Sequence, residues 1–228
     1  MTQLETELQQ LKDEAINMWS MVRGQLLKAL SALLNFDRDL AREVVVMEKR
    51  VNATELKIDR DCENIFALYS PVAIDLRFLL AVLKINSNLE RTGDIAEGIA
   101  KHVLSVEEAF KEDLLEATKV IEMYRESIVM LEDTLTAFEN EDTILARSVF
   151  EKDEFLDDIN QQANELIEAY LKKNPGEIDQ SLYALSIIRK LERVGDQSKN
   201  IAEEIIFYVE AKILKHFESS QRMIDGEE

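Results

Sequence analysis

A six-residue motif occurs twice in this chain, as Leu89-Glu90-Arg91-Thr92-Gly93-Asp94 and as Leu191-Glu192-Arg193-Val194-Gly195-Asp196, 102 positions apart. The register extends beyond the motif. Ile99-Ala100 matches Ile201-Ala202, and the apolar lead-in Leu80, Leu83, Ile85 and Leu89 matches Leu182, Leu185, Ile187 and Leu191. In a chain of 228 residues this offset implies duplication of about half the protein. A repeat of that length constrains the fold more than local propensity does, because both copies must find the same packing solution.

The motif carries two local costs. Glu and Asp four residues apart share one helix face, and like charges at that spacing destabilise a helix by about 0.2–0.5 kcal/mol. A Gly in the helix interior costs about 1 kcal/mol relative to Ala. Both costs recur in both copies, which points to a use. Gly lets another backbone or a ligand approach closely. A close carboxylate pair calls for a cation, either Arg91 and Arg193 from within the motif or a bound metal.

With only six Gly, two Pro and 46% hydrophobic residues, the chain reads as long helices, few loops and a sizeable core. Strand signals are absent. Helical periodicity runs from about residue 4 to 34, is interrupted at Asn35-Phe36-Asp37, and leaves Asp37 or Asp39 to cap a second helix reaching about Tyr69. Ser70-Pro71 ends that helix, since a residue before Pro avoids the helical region. A third helix carries the first motif to about Val106. The second half repeats the plan, with helices over about 111–138, 142–172 and onward through the second motif to about Phe217. In that half Asn140 stands where Asp37 stood, and Lys173-Asn174-Pro175-Gly176 is the breaker. The predicted fold is all-α, two tandem three-helix-bundle repeats over residues 1–108 and 109–217, with a polar tail over 218–228. Residues 37–107 are expected to superpose on 140–209, at an offset of 102–104.

A second acidic row flanks the apolar stripe of helix two. Glu48, Asn52, Glu55 and Asp59 are spaced four, three and four, so they line one face. In the fifth helix Asp153, Asp157, Asn160 and Asn164 shadow Leu156, Ile159 and Ala163 in the same register. Each unit can therefore bring two carboxylate rows together: Glu48, Asn52 and Glu55 with Glu90 and Asp94, and Asp153 and Asp157 with Glu192 and Asp196. Two readings remain open. In a chain with 46 acidic residues such rows arise as solvated faces, and the same rows form an oxygen-rich cation site. Such a site suits magnesium, calcium, manganese or iron better than zinc or copper, which favour His and Cys. His102 and His216 lie off both rows and read as edge histidines.

Taken together, Ser70-Pro71-Val72-Ala73-Ile74-Asp75-Leu76-Arg77, Leu83-Lys84-Ile85, Asn88 with the first motif, and the second motif with Asn200-Ile201-Ala202-Glu203-Glu204 resemble the PhoU family, regulators linked to phosphate uptake. The resemblance covers about residues 4–210. It implies a two-unit helical fold whose E/D-x-x-x-D motifs hold metal ions, iron or zinc, in some members. Carried onto this sequence, those positions are Glu48, Asn52, Glu90 and Asp94 in the first unit and Asp153, Asp157, Glu192 and Asp196 in the second. Asn52 replaces a carboxylate, and Gly98 stands where the second repeat has Asn200. The second site is therefore expected to be the stronger, with iron, zinc, magnesium or manganese as candidates. The resemblance further implies a non-enzymatic, cytoplasmic adaptor and homodimer. It would couple the ATPase of a phosphate ABC transporter to a sensor histidine kinase and restrain the phosphate-starvation response.

The remaining sequence features bound the alternatives. A net charge of −19 disfavours nucleic acid, which needs a clustered basic surface. No apolar run approaches a membrane span, and the N-terminal Met-Thr-Gln-Leu-Glu lacks signal-peptide character. Direct membrane insertion is therefore not expected, and the cytosol is. The lone Cys62 falls on the apolar stripe and reads as a buried, inert thiol. A carboxylate-bridged di-iron oxidase would need Glu-x-x-His pairs, and neither His has an acid three residues before it. A phosphate cradle would need a Gly-rich loop, which is missing. The rival reading is a metal-buffering bundle without signalling partners.

Overall fold

The computed structural model describes residues 2–212. Among them are seven α-helices and no strand: α1 (Gln3–Asn35), α2 (Arg38–Tyr69), α3 (Ala73–Ser105), α4 (Glu112–Ala117), α5 (Val120–Asn140), α6 (Thr143–Lys173) and α7 (Ile178–Glu210). Helices α1, α2 and α3 form one three-helix unit, and α5, α6 and α7 form the other.

The helix ends follow from local chemistry. Thr2 and Glu5 form a capping box at the start of α1, each side chain taking the other's backbone N–H. At the first interhelical corner Phe36 adopts a left-handed conformation (φ 50°), and Asp37 then accepts from the N–H groups of Asp39 and Leu40. The second repeat builds the same corner from Glu141 (φ 56°) and Asp142, which accepts from Ile144 and Leu145. The counterpart of Asp37 is thus Asp142 and not Asn140. Only a carboxylate immediately before the first helical residue reaches the N2 and N3 donors. The offset in α2 and α6 is accordingly 105, as from Asp37 to Asp142, against 102 at the motifs.

Two other expectations are corrected. The helix predicted over 111–138 is broken into α4 and α5. The Thr118 hydroxyl donates to the Leu114 carbonyl at 2.7 Å, and Lys119 turns left-handed at φ 57° before Val120 restarts the helix. Neither Gly nor Pro marks this break. The last helix stops at Glu210, with Ala211 left-handed and its N–H on the Phe207 carbonyl. The predicted continuation over residues 213–217, His216 and the tail 218–228 lie outside the described residues.

The two units bury one continuous core. Trp19 of α1 is fully buried against Phe138 of α5, ring centroids 4.9 Å apart, and its indole N–H donates to Thr134. The Tyr124 hydroxyl donates to the Leu26 carbonyl, again joining α5 to α1. Helices α3 and α7 cross the same interface antiparallel. Lys84 meets Glu204 at 3.0 Å, and His102 meets Ser186 at 2.9 Å. That leaves α2 and α6 on the outside, each against the motif helix of its own unit. Cys62 is buried, and burial pushes its thiol up to about 12, which leaves it an inert core group. No helix among the described residues is long and apolar enough to cross a membrane.

Candidate metal centre

Each motif glycine seats a carboxylate from the outer helix. A Cβ on Gly93 would stand 2.9 Å from the Glu48 carboxylate and 3.0 Å from the Gln25 side-chain oxygen. A Cβ on Gly195 would stand 2.8 Å from both the Asp153 carboxylate and Leu156. Glycine is required because the acid lies directly on the helix backbone. The result is a carboxylate that is almost fully buried in each unit, Glu48 at 4% exposure and Asp153 at 2%. Burying a charged group is costly without compensation, so what surrounds each acid decides what it does.

In the first unit the surroundings of Glu48 are acidic, and the nearest lysine, Lys190 of α7, reaches Gly98 one turn beyond Asp94. One carboxylate oxygen each from Glu48, Glu90 and Asp94 lie within 4.8 Å of one another. Gln25 donates its amide to Glu48 Oε2 at 2.8 Å, while Glu48 Oε1, Gln25 Oε1 and Asn52 Oδ1 are buried without a hydrogen-bond partner. Burial, opposed by the Gln25 bond and reinforced by Asp94, Glu97 and Glu90, pushes the Glu48 carboxyl up to about 7. Burial first, then Asp94 and Glu55, also raises Glu90. Glu55 is raised by burial, Asp59 and Asp94. Arg91 is exposed and forms no salt bridge to these carboxylates among the described residues.

In the second unit, Asp153, Asp157, Glu192 and Asp196 hold the matching places on α6 and α7. Burial raises Asp153, Glu192 and Asp196, and the neighbouring carboxylates add to the rise in each. Here, however, the Lys199 ammonium sits 3.1 Å from Asp153 Oδ2 and opposes the shift of both Asp153 and Asp196. Asp153 Oδ1 remains without a partner against Gly195.

A cation fits the first group on its own geometry. Oxygens bound to one magnesium or calcium ion are at most about 4–5 Å apart, which the spread of Glu48, Glu90 and Asp94 meets. The orphaned buried oxygens of Glu48 and Gln25 supply further acceptors of the kind hard cations take, and Asn52, one turn along α2 from Glu48, has an orphaned oxygen as well. The donor set is all oxygen, which favours iron, manganese, magnesium or calcium over zinc. Sequence reasoning placed the eight ligand candidates in two groups but missed Gln25, Glu97 and Lys199. Gln25 was legible as a polar residue in a core register beside Val22 and Leu26. Lys199 was legible as the positive residue aligned with Glu97.

An all-helical duplicated bundle with a glycine-seated acid in each half defines a narrow class of protein. A family profile described as the PhoU domain matches residues 15–103 and 120–205, one match per repeat. The chain belongs to the PhoU family. It is 33% identical over 214 residues to the phosphate-specific transport system accessory protein PhoU of Escherichia coli K12, covering 94% of this chain and 88% of that one. The crystal structure of PhoU from Pseudomonas aeruginosa superposes with a TM-score of 0.86 at 30% identity, over 92% of this chain and 100% of that one. The phosphate transport system regulatory protein PhoU from Streptococcus pneumoniae gives 0.83 at 30% identity, over 92% and 99%.

Proposed function

We propose that this protein is a non-enzymatic accessory and negative regulator of phosphate uptake, acting in the cytoplasm as a homodimeric adaptor. Its partners would be the ATPase of a phosphate ABC transporter and a sensor histidine kinase. The observation that carries this reading is the match to PhoU proteins across both repeats and nearly the full length of those relatives. The architecture supports it. Helices of 31–33 residues give a long rigid surface. A net charge of −19 steers the protein towards basic partner patches, an attraction that salt weakens.

The proposal includes one resident cation, held by Glu48, Glu90 and Asp94 with the amide oxygens of Gln25 and Asn52 nearby. Bound there, a divalent or trivalent ion would supply positive charge to an acid cluster that runs from the buried Glu48 to the exposed Asp94, and so fix α2 against α3. The ranking that favoured the second site took no account of Lys199, and the acid cluster of the first unit supports the opposite order. The repeat boundary at 108/109 belongs to the same proposal, and the boundary at 217/218 lies outside the described residues.

The test is deletion in the host together with affinity capture. Constitutive expression of phosphate-starvation genes in high phosphate, and recovery of transporter ATPase and kinase with the tagged protein, are the expected results. Full repression after deletion, with neither partner captured, would sink the adaptor reading and leave metal buffering in its place.

A further inference from the structure

The two repeats carry opposite charge at one aligned position beside the carboxylate groups. Three residues beyond the motif aspartate, the first repeat has Glu97 and the second has Lys199. One turn later the signs reverse, with Lys101 in the first and Glu203 in the second. In the first repeat Lys101 pairs with Glu97 at 2.5 Å. In the second repeat the ammonium lies against the buried Asp153 at 3.1 Å. Glu before Lys at this spacing is the better helical order, and Lys before Glu the poorer. The second repeat accepts the poorer order and gains a charge-assisted contact to an acid that is 2% exposed.

We infer that Lys199 is the built-in cation of the second carboxylate site, so that each chain takes one metal ion, at Glu48, Glu90 and Asp94, and none at Asp153, Asp157, Glu192 and Asp196. This rests on the metal reading proposed above. Two observations carry it beyond an acidic cluster. In the first unit the almost fully buried Glu48 contributes to the group of three converging carboxylates and keeps an unpartnered oxygen. In the second unit an ammonium already stands at the buried acid. A divalent ion bound beside Asp153 would have to expel Lys199 or sit against its positive charge, and either lowers affinity. Duplication thus gave two equivalent steric frames, one finished for an external cation and one closed by an internal one.

The experiment is metal counting on the full-length protein, stripped with chelator, reloaded with manganese and separated from free ion. Bound manganese per chain is read by elemental analysis. The expected count is one for wild type, none for Asp94→Ala, two for Lys199→Thr and one for Lys199→Thr with Asp94→Ala. Lys199→Met, which keeps the aliphatic packing and removes the charge, is also expected to bind two and covers the case in which the threonine variant fails to fold. Helical circular dichroism checks each variant. A wild-type count of two, a wild-type ion that survives Asp94→Ala, or a count of one in both folded Lys199 variants overturns the inference. A wild-type count of none removes the metal reading itself, and the inference with it.

Discussion

Glu48 and Asp153 occupy the same place in the two repeats, each on an outer helix against a motif glycine and among other acids, yet only Asp153 has an ammonium in contact. Around Glu48 stand Glu90, Asp94 and Glu97, and the nearest donor is the neutral amide of Gln25. Around Asp153 the acids are answered by Lys199, and the residue aligned with Gln25 is the apolar Met130, 3.7 Å from where a Gly195 Cβ would be. The shared part is steric and the divergent part is electrostatic. A helix-on-helix frame tolerates little change of shape once a side chain is seated on backbone. The charge at the solvent edge of that frame can change sign without moving a helix.

The largest difference between the halves is expected from filling the glycine seats. Gly195→Ala forces a Cβ onto Asp153 and the buried Leu156, and overpacking of this kind costs about 2–3 kcal/mol. In Gly93→Ala the closest atom is the end of the longer Glu48 side chain, so the loss is expected to be about 1 kcal/mol. Both oppose the gain of about 1 kcal/mol that Gly→Ala gives in an unhindered helix. Urea unfolding of the two variants measures the order, and two stabilised variants would remove the steric account of the motif.

The next difference is in pH dependence without metal. The Glu48 carboxyl is raised from its ordinary 4.5 to about 7, so the folded protein holds a proton that the unfolded chain releases. The stabilisation from this group is complete below the unfolded value and is lost as pH rises through about 7. The melting temperature in chelator is therefore expected to fall between pH 5.5 and 8. Glu48→Gln should flatten that fall, and Asp153→Asn should flatten it less, because Lys199 opposes the rise of Asp153. Equal flattening would mean that Lys199 does not distinguish the sites.

The smallest effect sharpens the comparison by its symmetry. Asp37 and Asp142 cap α2 and α6 through the same two donors at 2.9–3.1 Å. Asp37→Ala and Asp142→Ala should each cost about 1 kcal/mol. A difference much larger than the error of thermal melts would show that the repeats diverge in more than charge.

Much of this was open to inspection in the sequence. The doubled motif, the breakers at Pro71 and Pro175 and the acidic rows gave two three-helix units and the helix faces that meet, because helical periodicity and Pro act locally. The break at Thr118-Lys119 was hidden, since a hydroxyl-to-carbonyl bond and a left-handed Lys leave no compositional mark. The repeat offset misled at the second cap: 102, correct at the motif, becomes 105 in the outer helices, so Asn140 stood in for Asp142. Leu80 and Leu182 matched in the duplicated apolar lead-in, yet they are 37% and 56% exposed, so matching apolar residues did not mean shared burial. Lys199 escaped because ranking the sites by counting carboxylates left out the neighbouring cation.

The central claim is that the acid cluster of the first repeat, and not its twin, is the cation site. Anomalous scattering from crystals soaked in manganese tests it most directly. The account predicts one anomalous peak per chain, in contact with Glu48, Glu90 and Asp94, with Lys199 still against Asp153. A peak between Asp153 and Asp196 with none at Glu48 would contradict it.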